Sequence, residues 1–331
     1  MRSEVNTYGE FTYPDRWCMV YDRHYISVNL STPLDGLTVR VSDTRSPSHN
    51  RDIEIAGGMI VSRIEISPLL QSLFSEWADT RTVYAHVSLR SKKASLLSFH
   101  TYVVYGSADN GLTRFLLSAK KKNILFNFIN FPFYVSVFRG SRADSISFNG
   151  ELYDTQIIGF VDVPIKTSGT LVCHKSADTV AVFDNTFDRT FIELYPSGVD
   201  EEYEILESSS TEGVYVRWID IYGERHYYLF DENDCSIIVE TSDYRLKNSN
   251  GELGERSFVN KVCTQLKCSA ENIDSELLSY VLGVLDSTHV EKYSNGEWLP
   301  VSVKDGQTIE HDKVLRDIEL TLEQDIITQR L

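Results

Sequence analysis

The sequence predicts a mainly β protein with a minor α component, and three observations carry that expectation. Apolar and polar residues alternate with period two over much of the 331-residue chain, the pattern of strands that bury one face. Tyrosine (18) and phenylalanine (16) are abundant, and aromatic side chains suit a pleated, half-buried surface. Clusters of turn-forming residues separate the alternating runs.

Taken in order, the expected strands of the first 200 residues are 26–30, 37–41, 53–56, 59–66, 83–89, 98–105, 136–138, 145–148, 156–161, 170–174, 179–184 and 190–195. Ser67-Pro68-Leu69-Leu70-Gln71-Ser72-Leu73-Phe74 breaks the pattern. Ser at a cap position, Pro at the first helical position and four apolar residues on one face predict a short helix plugging one end of a β layer. The most apolar stretch, residues 124–138, holds two Asn and a Pro. At about 15 residues it is shorter than the roughly 20 a membrane span needs, and it reads as core strands.

Acidic turn clusters at residues 197–202 and 207–213 place a boundary near residue 205. They divide the chain into a strand-rich region of one or two subdomains (1–205) and a β domain (206–331). In the latter, residues 214–220 and 225–230 flank a Gly-containing turn, predicting a hairpin. A long strand over residues 256–266 should follow. The clearest helix, residues 273–286, carries an apolar stripe of Ile273, Leu277, Leu278, Val281, Leu282 and Leu285 behind a cap at Asn272 or Asp274. Burial is expected at Leu277, Val281, Leu282 and Leu285. Residues 290–293, 298–303 and 316–322 close a βββαβββ order, with Ser294-Asn295-Gly296 as a tight turn.

The net charge of −16 argues against holding nucleic acid through its phosphates. It is unevenly spread: residues 1–150 carry 17 basic and 13 acidic side chains, residues 151–331 carry 15 and 35. Such an asymmetry suits two surfaces with different partners, one that repels polyanions, or a solubilising acidic surface. Five cysteines without a Cys-x-x-Cys pair suggest reduced structural thiols. The start Met1-Arg2-Ser3-Glu4-Val5-Asn6 has no apolar run behind a basic segment, so no signal peptide is expected.

Phosphate-cradling, dinucleotide, zinc-protease and nucleophile-elbow motifs are absent from the sequence. Residues 231–236 begin like a calcium loop, but Cys235 and Ser236 stand where Asp or Asn and then Gly belong, so a solvated hairpin loop is expected. Cys173 and His174 are neighbours on an expected strand and should point to opposite faces. Cys263 and Cys268, five apart, should do the same. With 48 acidic residues, no particular carboxylate pair stands out for glycoside hydrolysis. Tyr222, Tyr227 and Tyr228 could stack on sugars, although cross-strand packing explains such residues more simply. No catalytic residue, metal or cofactor is expected, and no membrane partner.

Residues 214–223, running from Val214 through Trp218 to Gly223, lead to Tyr227-Tyr228-Leu229-Phe230. Residues 127–135, Ile64 to Phe74, Trp298-Leu299-Pro300-Val301-Ser302-Val303 and Asp317-Ile318-Glu319-Leu320-Thr321-Leu322 stand with them. Together these segments, which span most of the chain, resemble structural tail proteins of Bacteroidetes phages and prophages, of the distal tail or tail-ring class. The resemblance implies a virion component assembled in the host cytoplasm. It would form a homo-oligomeric ring, a hexamer or dodecamer, in contact with other tail proteins, without specific nucleic-acid binding. The acidic C-terminal domain would then line the DNA channel. Trp218, Tyr222, Tyr228, Trp298, Leu277, Val281 and Leu282 are the structural or interface candidates. A carbohydrate-binding or adhesin-like β module, and a β-fold glycan-cleaving enzyme, are the competing readings.

Overall fold

A computed structural model describes residues 2–14, 16–34, 36–45, 50–55, 60–74, 81–106, 123–176, 181–185, 190–195, 198–247, 253–287, 289–310 and 316–325. The fold is mainly β, with two helices among the described residues. The chain divides into two compact units. The first comprises Met1–Asn127, Pro132–Glu207 and Asp220–Arg225; the second comprises Phe128–Phe131, Ser208–Ile219 and His226–Leu331. A single boundary near residue 205 cannot express this interleaving.

The first unit opens with β1 (Arg2–Asn6), β2 (Gly9–Tyr13), β3 (Trp17–Met19), β4 (Tyr25–Leu30), β5 (Leu37–Asp43), β6 (Asn50–Ile55), β7 (Val61–Glu65), α1 (Ser67–Gln71), β8 (Thr82–Ser91) and β9 (Ser95–Val104). They form one sheet of order β1-β2-β4-β7 and another of order β3-β9-β8-β5-β6. Alternate residues such as Phe11, Ile26, Val39, Val41 and Val87 are buried, and Tyr13 of one sheet stacks on Phe99 of the other at 4.5 Å. Ser67 is not the cap of α1: Ile66 takes that position, with Pro68 in the first turn. The Ser67 hydroxyl instead accepts the His24 backbone N–H at 2.8 Å.

Next come β10 (Asn123–Phe128), β11 (Phe133–Arg139), β12 (Ser145–Phe148), β13 (Glu151–Tyr153), β14 (Gly159–Ile165), β15 (Gly169–His174), β16 (Ala181–Asn185), β17 (Thr190–Tyr195) and β18 (Glu201–Ser208). They make a sheet of order β10-β18-β15-β12-β13 and the pairs β11–β14 and β16–β17. The strand expected from residue 156 begins only at Gly159. There the Arg139 guanidinium donates to the carbonyls of Thr155 (2.5 Å) and Ile157 (2.9 Å).

The second unit is built from β19 (Val214–Ile219), β20 (Arg225–Lys247), β21 (Leu253–Ile273), α2 (Ser275–Asp286), β22 (His289–Ser294), β23 (Glu297–Glu310) and β24 (Arg316–Asp325). They close into a six-stranded barrel of order β19-β20-β21-β24-β23-β22. The Asp274 side chain caps α2 by accepting the Leu277 N–H at 2.8 Å. Asn295 and Gly296, at φ 53° and 89°, supply the left-handed pair that a two-residue hairpin turn requires.

The apolar stripe of α2 packs on the barrel core, but not through the leucines expected. Leu278, Val281 and Val284 are buried together with Val216, Trp218, Phe230 and Leu320, while Leu277, Leu282 and Leu285 are only partly covered. Val281 sits at the centre of the contact. Leu277 and Leu285 lie a turn away toward the helix ends, and Leu282 is rotated by about 100° to the flank. Leu285 fits against Gly306, where an added Cβ would lie 2.3 Å from the Leu285 Cδ2 atom.

Candidate functional site

The feature of the second unit that alternation did not foretell is the unequal length of its strands. β19 has 6 residues and β20 has 23, so β19 can accompany only the first part of its neighbour. Beyond it, β20 is flanked by β21 only, among the described residues. At the far side, β22 accompanies β23 as far as Val301. From Ser302 to Glu310 β23 pairs with β24 and leaves its other side open among the described residues. The sheet β20-β21-β24-β23 therefore continues past the closed barrel with one open edge on each side.

An open edge presents unsatisfied backbone donors and acceptors in a row, and proteins normally blunt it with charge, proline, bulges or short length. The start of the β20 edge is guarded in this way, with Asp231, Glu232 and Asp234 beside a register shift. The next five residues, Cys235-Ser236-Ile237-Ile238-Val239, carry neither charge nor proline. Ile237 is 68% exposed and Val239 52%. On β23, Ile309 is also exposed.

Residues 231–236 thus lie inside β20 rather than in the solvated hairpin loop expected of them. Extended backbone sends successive side chains to opposite faces, so these acids do not converge as calcium ligands do.

The structure disperses the aromatic candidates. Trp218 is fully buried in the barrel core, whereas Trp298 packs outside it against Tyr215, with centroids 5.6 Å apart. The Arg217 guanidinium covers the Trp298 ring at 4.4 Å. Tyr222 and Tyr227 are buried and Tyr228 is half-buried. Buried rings offer no face for sugar stacking. Leu277, Val281 and Leu282 on α2 pack within their own unit. Beside Trp298, Arg217 pairs with Glu291 at 2.5 Å and His289 approaches the same carboxylate at 3.4 Å. Burial opposes the charge on Glu291, but the hydrogen bonds from His289 and Arg217 outweigh it and lower its pKa to about 2.

Cys18, Cys173, Cys263 and Cys268 are buried and Cys235 is exposed. Burial pushes the thiols of Cys18 and Cys268 up to about 12 and that of Cys173 up to about 11, which leaves them unreactive. Cys173 points inward while His174 points outward. No helix among the described residues is long and apolar enough to cross a membrane. No protein-family model matches the chain, and no curated protein matches it either.

Proposed function

We propose that this protein is a structural subunit of a phage tail, of the distal tail or tail-ring class, that assembles head to tail into a homo-oligomeric ring. One observation carries the assembly reading: two open edges bound the same sheet. Along β20-β21-β24-β23 every pairing is antiparallel, so β20 and β23 run in opposite directions. When copies related by rotation stand side by side, β20 of one copy meets β23 of the next in antiparallel register, and the alternation continues across the junction. A heterologous contact of this kind closes into a ring when the rotation between copies divides the circle. The resemblance to tail proteins supplies the sixfold symmetry, or a multiple of it, and the contact with other tail proteins.

The 35 acidic and 15 basic side chains of residues 151–331 would repel a DNA backbone passing through the ring. The same charges oppose assembly, so rings should tighten as salt screens them. Light scattering across salt concentrations, with particle imaging, tests the reading on the full chain. Rings are expected for the wild type, and monomers with an unchanged melting temperature for Ile237→Lys combined with Val239→Lys. A wild type that stays monomeric at high concentration and high salt overturns the proposal. So does a double variant that assembles normally, and a two-fold dimer would replace β20–β23 pairing with β20–β20 pairing.

A further inference from the structure

Ser147, His174 and Asp200 come from three separate segments of the first unit, and the tertiary fold brings them together. Within the sheet, Ser145 pairs with His174 and Ser147 with Val172. Side chains alternate along a strand, so Ser145, Ser147 and His174 share the outer face, opposite the buried Ile146 and Cys173. His174 reaches diagonally along that face and places Nε2 3.5 Å from Ser147 Oγ. Its other ring nitrogen, Nδ1, lies 2.8 Å from Asp200 Oδ2. Asp200 is anchored in turn, because its Oδ1 accepts the Lys175 backbone N–H at 3.1 Å.

The hydrogen bond from His174 holds the Asp200 carboxyl below the usual carboxylate range. An ionised carboxylate only accepts hydrogen bonds. With Asp200 as the acceptor, Nδ1 carries the shared proton, and in the neutral ring the Nε2 lone pair faces the Ser147 hydroxyl. Nucleophile, base and orienting carboxylate stand in the order that acyl transfer uses.

We propose that Ser147 is an acyl-accepting nucleophile for small carboxylic esters, with His174 as its general base and Asp200 as a positioning residue. The His174 and Asp200 side chains are each 50% exposed, so an open sheet face, not a fitted pocket, selects the substrate, and compact, unhindered acyl groups are the ones it admits. Ser147 Oγ attacks the ester carbonyl carbon as its proton passes to His174 Nε2. The tetrahedral intermediate then breaks the ester C–O bond, and the departing alcohol takes that proton. Water, giving a proton to Nε2, attacks the acyl-serine; Ser147 leaves with the proton and the free acid is released. The 3.5 Å separation suits a site without substrate, where such hydrogen bonds are often long.

The full chain incubated with p-nitrophenyl acetate provides the test, read by p-nitrophenolate release, intact mass and peptide mapping. An acetyl group is expected on Ser147 and should vanish in Ser147→Ala. His174→Gln should slow acylation by about 10²–10⁴-fold. Asp200→Asn should slow it less, with recovery in Asp200→Glu. Ser145→Ala, altered on the same face directly opposite His174, should react as the wild type does. The absence of any adduct overturns the proposal. So does acetylation confined to other residues, or a His174→Gln protein that melts normally and reacts at the wild-type rate.

Discussion

The two units differ most in how long their edge strands are. In the first, several edge strands are short or charged: β3 and β13 have three residues each, and β6 carries Arg51, Asp52 and Glu54 among its six. In the second, closure removes edges around the barrel, yet among the described residues the length of β20 and β23 leaves one side of each unpaired. The proposed ring would supply a further strand to each. A local guard of a few charges is enough for a short strand, but a strand of 23 residues outruns its neighbour and exposes uncharged backbone.

The largest effect is expected from removing the ion pair on the barrel wall. Arg217→Ala takes from Glu291, whose side chain is 8% exposed, the closer of its two partners and leaves His289 at 3.4 Å. The expected loss is about 3–5 kcal/mol in chemical denaturation, confined to the second unit. A loss below about 1 kcal/mol would place the pair among surface bridges.

Core packing comes next. Leu278→Ala should cost about 2–5 kcal/mol, whereas Leu282→Ala, at the flank of α2, should cost clearly less. Equal losses would show that the helix buries a different face.

Acid separates the units by their titrating groups. Burial, followed by His100 and Arg90, holds His86 below its ordinary value of 6.5. The unfolded chain therefore binds that proton first, and stability of the first unit should fall as pH drops below about 6.5. Glu291 is depressed from 4.5 to about 2. Its contribution is complete above 4.5 and is lost as pH falls toward 2. Thermal melts across pH should show the first unit softening earlier, and His86→Phe should remove that early limb.

The smallest effect belongs to the β6 edge. The Arg40–Asp52 pair, at 2.6 Å with side chains 43% and 37% exposed, is worth less than about 1 kcal/mol. Asp52→Asn should leave the melting temperature nearly unchanged. A large loss there would mean that edge charge in the first unit also holds the fold.

Features that depend on neighbours along the chain were legible from the residues alone. Strand content, the βββαβββ order, a cap at Asn272 or Asp274 and the turn at Ser294-Asn295-Gly296 follow from periodicity and from backbone preferences of single residues. The legible strand stopped at Phe230, because Asp231, Glu232 and Asp234 have the composition of a loop and continue as strand only where β21 pairs with them. Tertiary structure decided closure of the barrel, where Arg217 and Glu291, 74 residues apart, become cross-strand partners. It also chose which leucines of α2 face the core and drew Ser147, His174 and Asp200 onto one surface. Period-two alternation is the same in an open sheet and a closed one; only pairing register, set by contacts distant in sequence, tells them apart.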